Sequence, residues 1–392
     1  MAYSSITNPG DHFNTILYSG DASSTRNITG VGFRPDWVWI KRRNSTAPNV
    51  LYDVVRGGGK QLRSDDTSAE ASNSIYGYVS DFISDGFEVT GGSTNLARVN
   101  ASGGTYVAWN WLAAGTTPSK TYTVKVVSDS GNKYRFDDFG TSAVTLELSE
   151  GGTFRFDQSD SSNSGHPLRF STTSDGTHGG GSEYTTGVTT SGTPGSSGAY
   201  TEITVAASAP TLYYYCSSHS GMGGQANTPT TNSFSNFAGS IQSNISPNTT
   251  AEFSIVKYTG AGTGTTTTVG HGLGAVPDVY MVKSLDSVGG WHMYHHQVSA
   301  APETDYIDLN TTDAVADYTF WGDTAPTSTV FTVKDGDDVN ASGEEYIAYC
   351  FKSKKGYSRF GSYTGNNSTN GTFVYTGFKP AWVIVKGSSI TG

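Results

Sequence analysis

One block of sequence recurs in this chain, and it constrains the fold more than any other feature. Val-Asn-Ala-Ser-Gly followed by Tyr-x-Ala-aromatic occupies 99–109 and returns at 339–349, a shift of 240 residues (99 against 339). Tyr-Ser/Thr-Gly occurs at 18–20, 258–260 and 363–365. Because self-similarity at long spacing is the signature of repeated structural units, the chain is predicted to contain copies of one module.

The copies are unequally spaced, so unrelated sequence separates the first two. The second and third copies begin 105 residues apart (258 against 363), whereas the first two begin 240 apart. We predict repeat A over 1–116, an inserted module over 117–232, repeat B over 233–356 and the start of an incomplete repeat C over 357–392. Either further polypeptide or another chain would complete repeat C.

A second recurring motif predicts the fold class. Its residues are Gly-Phe-x-Pro-x-Trp-Val-x-Ile-Lys at 32–41, with related versions at 275–283 and 377–386. Such β-branched and aromatic runs are typical of strands covered on both faces. We therefore expect an all-β protein of tandem jelly-roll- or Greek-key-like β-sandwiches, with Trp37 and Trp39 in the core rather than on a glycan-binding surface. Only residues 69–81 hint at a short helix.

Composition excludes several classes of protein. The formal net charge of −10 argues against a nucleic-acid partner, which needs clustered basic residues. No apolar run approaches the ~18 residues of a membrane span, and the N-terminal residues do not resemble a signal peptide. The two cysteines, Cys216 and Cys350, fall in different predicted modules, so we expect no disulfide between them.

Together these motifs resemble a repeated module of tail-associated proteins in marine tailed bacteriophages, over about two thirds of the chain. Repeat A also carries Tyr-Asp-x-Val-x-Gly at 52–57, whereas repeat B has Trp-His-Met-Tyr-His-His at 291–296 instead. The resemblance implies a structural virion component, a tail fibre or tail-associated protein for host attachment or surface adhesion. Its implied partners are other virion proteins, a host receptor or glycan, and further copies of itself, as a trimer if it is a fibre.

Other functions remain open at this stage. A capsid decoration protein and a copper-binding redox protein are the alternatives. A polysaccharide depolymerase is disfavoured, because no nucleophile triad or isolated carboxylate pair stands out. We therefore expect no catalytic residues and no enzymatic activity.

The inserted module carries a candidate metal site. Cys216 ends a predicted strand, His219 and Met222 follow at intervals of three, and His166 lies fifty residues upstream. A thiolate, two imidazoles and a thioether form the ligand set of mononuclear copper sites. The module resembles the cupredoxin family of Greek-key β-sandwiches, which implies one copper ion bound by these four residues. A buried structural thiol without metal, or a different metal, remains an alternative.

A second group of histidines lies in repeat B. His292, His295 and His296 fall in an aromatic-rich segment that reads as a strand or loop. On a strand, His292 and His296 share a face but His295 does not. We expect an aromatic strand there rather than a metal site.

Overall fold

The computed structural model describes residues 4–389 and divides into two compact units. One comprises the described residues up to Ala113 together with those from Pro247 onward, and the other is Ala114–Ser246. The expectation of an all-β protein with β-sandwich layers is confirmed. No helix among the described residues has the length and apolar character that a membrane crossing requires.

Repeat A consists of a large and a small antiparallel sheet. Its strands are β1 Phe13–Ser19, β2 Thr25–Thr29, β3 Trp37–Arg42, β4 Val50–Asp53, β5 Lys60–Arg63, β6 Ala71–Ser72, β7 Tyr78–Ile83, β8 Gly86–Thr90 and β9 Thr105–Trp111. The large sheet has the order β1-β9-β3-β4-β5-β6, and the small sheet β2-β8-β7. The helix expected over 69–81 is wrong, because β6 pairs with β5 and β7 begins in that segment and pairs with β8.

The inserted unit is a sandwich of two sheets. Its strands are β10 Ser119–Ser128, β11 Asn132–Phe136, β12 Leu146–Glu147, β13 Thr153–Asp157, β14 Leu168–Ser171, β15 Val188–Ser191, β16 Tyr200–Thr204, β17 Leu212–Cys216, β18 Gly224–Asn227 and β19 Phe234–Asn236, before β20 Ser243–Asn248. The sheets are β11-β10-β13-β16-β15 and β12-β18-β17-β14. Ring contacts join them, including Phe136 with Tyr214 at 5.1 Å between centroids.

The inserted unit extends beyond the predicted 117–232. Phe234 and Phe237 are buried, and their rings lie 6.0 Å from Phe154 and 6.1 Å from Phe136, respectively. These contacts add apolar area to the core of the insert, which explains why the segment up to Ser246 belongs with it.

Repeat B continues the numbering. Its strands are β21 Phe253–Thr259, β22 Thr267–Gly270, β23 Val279–Ser284, β24 His292–His295, β25 Asp305–Asp308, β26 Ala316–Asp317, β27 Val330–Val333 and β28 Glu345–Phe351, with one α-helical turn, α1, at Asp337–Asn340. Its large sheet contains the run β21-β28-β23-β24-β25-β26, and its small sheet is β22-β27. Short 3-10 turns lie at Pro9–Asp11, Ser161–Asn163, Gly176–Gly179 and Thr319–Trp321.

Repeats A and B share structure in detail. In A the closing strand β9 lies between β1 and β3, and in B β28 lies between β21 and β23. Tyr18 donates a hydrogen bond of 2.8 Å to the carbonyl of Val99, and Tyr258 donates one of 2.8 Å to the carbonyl of Val339. The repeated sequence block therefore corresponds to a repeated set of contacts.

The large sheets of the two repeats also pack on each other. Trp37 of A stacks on Tyr349 of B with 4.4 Å between ring centroids, and Phe253 lies 5.7 Å from the same indole. Trp37 is fully buried and Trp39 only 7% exposed, so the expectation that both fill the core is confirmed. Buried residues of both repeats belong to one hydrophobic core, so the two repeats form one unit rather than separate sandwiches. Buried aromatic rings of this kind contribute strongly to stability.

An ion pair is buried where the two repeats meet. Arg56 Nε lies 2.5 Å from Asp53 Oδ2, and both side chains are almost fully inaccessible. Glu70 lies 3.2 Å from the same guanidinium. The Tyr349 hydroxyl donates to Asp53 Oδ2 at 2.6 Å. The charges are therefore compensated on all sides, as buried charges must be.

Candidate metal centre

The end of strand β17 places the cysteine of the site. β17 pairs antiparallel with β14, with Cys216 opposite Leu168. His166 lies two residues before Leu168, so the same pairing brings it beside the cysteine. His219 returns to this point because residues 217–223 form a loop between β17 and β18.

The structure brings His166, Cys216 and His219 together. Cys216 Sγ lies 3.8 Å from His166 Nδ1 and 3.8 Å from His219 Nδ1. One ligand atom from each residue lies within 4.8 Å of the others. Bonds of ~2.3 Å to sulfur and ~2.05 Å to nitrogen, held in a trigonal plane, would separate the two atoms by ~3.8 Å. The two sulfur-to-nitrogen distances therefore match those expected around a single bound metal ion.

The chemistry of the three donors also fits a soft or borderline metal. The Cys216 thiol is buried, His166 is half-buried and His219 is exposed. Burial, and then the neighbouring His219, lower the pKa of His166 below its usual value. This favours the neutral imidazole at pH 7, which is the form that binds a metal.

Met222, the fourth predicted ligand, lies at the base of the same loop. Its side chain is buried, 1% exposed, and its carbonyl accepts a hydrogen bond of 3.0 Å from the backbone N–H of Tyr134. The loop therefore turns the methionine toward the interior rather than toward solvent. Its role as a weak axial ligand stays a prediction.

The side chains that hold the ligand residues and their loop in place were not found from the sequence. Tyr134 donates from its hydroxyl to the His166 carbonyl at 2.9 Å. Asp175 Oδ1 accepts from the Gly221 N–H at 2.8 Å, and His178 Nε2 donates to the Cys216 carbonyl at 3.0 Å. Such outer contacts orient metal ligands. Their sequence signal is weak, because they lie in other strands and loops.

Close backbone packing fixes the end of the ligand loop. A Cβ on Gly223 would lie 1.7 Å from the carbonyl oxygen of Tyr214, so this position requires glycine. The loop thus returns tightly onto β17, the strand that presents Cys216. Such close packing restricts where the end of the loop can lie, which helps to fix ligand positions before a metal binds.

The structure does not bring the three histidines of repeat B into one cluster of ligand atoms, although the rings of His295 and His296 lie 5.3 Å apart. His292 lies on β24 between two carboxylates, with Nδ1 2.6 Å from Asp308 Oδ1 and Nε2 3.0 Å from Asp338 Oδ2. Both ring nitrogens are thereby engaged, on opposite sides of the ring. His296 contacts Asp278 instead, at 3.5 Å from Nδ1. Burial lowers the pKa of His292, but its hydrogen bonds to Asp308 and Asp338 outweigh burial and leave the pKa raised, so this position favours the protonated imidazole.

These features define a class: an all-β protein in which two copies of one module share a core and a guest sandwich carries a His-Cys-His cluster. The chain belongs to the family described as a domain of unknown function, DUF7483, which matches residues 8–137 and 225–392. The internal segment that the family does not match, 138–224, lies inside the inserted unit and includes His166, Cys216 and His219. No curated protein and no solved structure matches the chain significantly.

Proposed function

We propose that this protein is a structural, non-catalytic component of a bacteriophage virion, a tail fibre or tail-associated protein that contacts the host surface. The observation that carries the proposal is the shared core of repeats A and B, where Trp37 stacks on Tyr349. Two β modules joined through buried aromatic rings form a stiff building block, which suits an extracellular particle. The resemblance of both copies to a phage tail module gives the block its context.

The exposed tyrosines and the low charge of the chain support adhesion. Tyr76, Tyr318, Tyr363 and Tyr375 are exposed, and the chain as a whole has 49 glycines and only 15% charged residues. Tyrosine provides large contact area at low entropic cost, and glycine and serine adapt hydrogen bonding, as in other recognition loops. The ligand class in this proposal is a receptor or glycan on the host cell.

Location on the particle tests the proposal. Gold-labelled antibodies against the purified chain should decorate tails of intact phage, and the purified chain should compete with phage for adsorption to host cells. Label confined to the capsid would favour a decoration protein instead. Label absent from purified particles would refute a virion role.

A second function, copper binding, is favoured by one specific observation: the convergence of His166, Cys216 and His219 at 3.8 Å separations. Copper bound by a thiolate and two imidazoles supplies one-electron chemistry and a strong thiolate-to-metal absorption. In this chain the side chains of His166, Cys216 and His219 would hold the ion, with Met222 as the predicted fourth ligand.

Metal titration tests this second function. One equivalent of Cu(II) should produce an intense visible charge-transfer band that Cys216→Ser abolishes. Cys350→Ser is the matched control, because Cys350 is equally buried but lies in repeat B, and the band should remain. A band that survives Cys216→Ser would refute the assignment. If one equivalent of Zn(II) binds and copper does not displace it, the site is a zinc site instead.

A further inference from the structure

Repeat C exposes apolar side chains that its sister copies bury. Val383, Ile384 and Val385 are 64%, 49% and 64% exposed. They occupy the motif positions of Val38, Trp39 and Ile40 in β3, which are buried, and those of Tyr280, Met281 and Val282 in β23, which are buried as well. The sequence predicts a strand at 382–385, yet residues 357–389 contain no strand in the structure.

The reason is the lack of a neighbouring strand. In repeat A, β3 pairs antiparallel with the closing strand β9, Trp37 opposite Trp111 and Ile40 opposite Ala108. In repeat B, β23 pairs with β28 in the same register, Val279 opposite Phe351 and Val282 opposite Ala348. Both closing strands are already paired on their two edges, so neither can serve repeat C.

Trp382 shows that the segment is held in place even so. Its ring lies 5.3 Å from that of Trp111 and 6.0 Å from that of Trp39. Lys386 Nζ donates to the carbonyl of Thr311 at 2.6 Å. The first and last residues of 382–386 are thus anchored on the A–B unit, while the three apolar residues between them remain exposed.

We propose that residues 382–386 are the acceptor for one specific strand: the closing strand of a third copy of this module, carried on polypeptide outside residues 4–389. The incoming strand runs antiparallel, with an aromatic residue opposite Trp382 and alanine opposite Val385, as in the two complete repeats. Main-chain hydrogen bonds supply affinity, and the buried alternate side chains set the register. The proposal depends on neither the virion role nor the copper site.

Adding a synthetic peptide to the full chain tests whether residues 382–386 accept a closing strand. The probe is a synthetic peptide of residues 342–352 with Cys350→Ser, which carries the closing strand of repeat B. At saturation, hydrogen–deuterium exchange at 382–386 should slow by about tenfold or more, because amides in a sheet ladder are protected. The matched control peptide carries Ala348→Pro, which removes a ladder N–H in mid-strand, and it should give no protection.

Variants of the full chain locate the acceptor. Ile384→Lys should abolish the protection, whereas Val288→Lys, at a valine 74% exposed elsewhere in the same unit, should preserve it. A second experiment does not depend on the affinity of a free peptide. The same strand is fused after residue 392 through a Gly/Ser linker, which raises the effective concentration of the strand. Unchanged exchange at 382–386 in both experiments would overturn the proposal.

Discussion

The hydroxyl of Tyr349 in repeat B donates a hydrogen bond of 2.6 Å to the carboxylate of Asp53 in repeat A. Arg56 binds the same carboxylate and lies 3.3 Å from the same hydroxyl. All three side chains are buried. This contact ties the two copies together by a polar link inside an otherwise aromatic core, so the copies are held in one specific arrangement.

Removing that hydroxyl should destabilise the unit. Tyr349→Phe keeps the ring stack on Trp37 but leaves a buried carboxylate with one donor fewer. We expect a loss of about 1–3 kcal/mol in the free energy of unfolding, measured by urea denaturation. Tyr363→Phe, at a tyrosine 52% exposed, is the control and should change stability little. Equal effects of the two variants would contradict a stabilising role for the contact.

The ligand loop can pack against β17 only because residue 223 is glycine and has no side chain. Gly223→Ala would push a Cβ against the Tyr214 carbonyl, so the loop would have to shift and the three ligands would separate. We expect copper affinity at least about tenfold weaker, measured by competition titration, because displaced ligands can no longer all reach the same ion. Gly140→Ala, where a Cβ meets no atom within 4 Å, should bind copper as the parent chain does.

The environment of His292 predicts a pH dependence of stability. Burial lowers its pKa, but the hydrogen bonds that its ring nitrogens donate to Asp308 and Asp338 outweigh burial and leave the pKa raised. Its stabilising contribution should therefore be complete below pH 6.5 and disappear as the pH rises through the higher, folded-state value. The difference in unfolding free energy between the parent and His292→Gln should shrink between pH 6 and pH 9.

His271, in the same unit, should give the opposite pH dependence of stability. Burial lowers its pKa to about 4. Its neutral form should therefore stabilise the fold above pH 6.5, and this contribution should be lost as the pH falls toward 4. As the pH falls, the difference in unfolding free energy between the parent and His271→Gln should shrink. The same difference for His292→Gln should grow. Parallel pH profiles for the two variants would show that these histidines do not govern the titration.

The inserted unit should be removable. Asn248 Nδ2 donates to the carbonyl of Leu112 at 3.0 Å, so the chain leaves and re-enters the paired repeats at one place. Deleting 114–246 behind a short glycine linker should leave a cooperative thermal transition within several degrees of the parent's, because closing a short loop costs little. Deleting 253–351 instead removes one side of the shared core and should abolish that transition.

Local sequence carried much of the fold. Runs such as Trp37–Arg42 and Leu212–Cys216 predict strands, because aromatic and β-branched side chains favour a covered, pleated surface. The spacing of Cys216 and His219 predicts their proximity, since His219 follows only three residues after the strand ends at Cys216. The upstream partner, His166, was identified through the resemblance to a known ligand set.

Long-range pairing was not predictable in the same way. Asp53 and Tyr349 are 296 residues apart, and nothing in either segment indicates that it lies against the other. Residues 382–385 have strand sequence without strand structure, because a strand needs a neighbour as well as suitable side chains. Likewise, Asp175 reaches the ligand loop only through the fold of the insert.

The Tyr349 hydroxyl has no counterpart in the other copy, because the residue equivalent to Tyr349 in repeat A is Trp109. Two A halves brought face to face would set the Asp53 carboxylate against an indole, with no phenol to donate to it. The difference therefore disfavours the pairing of two A copies and favours the pairing of an A copy with a B copy.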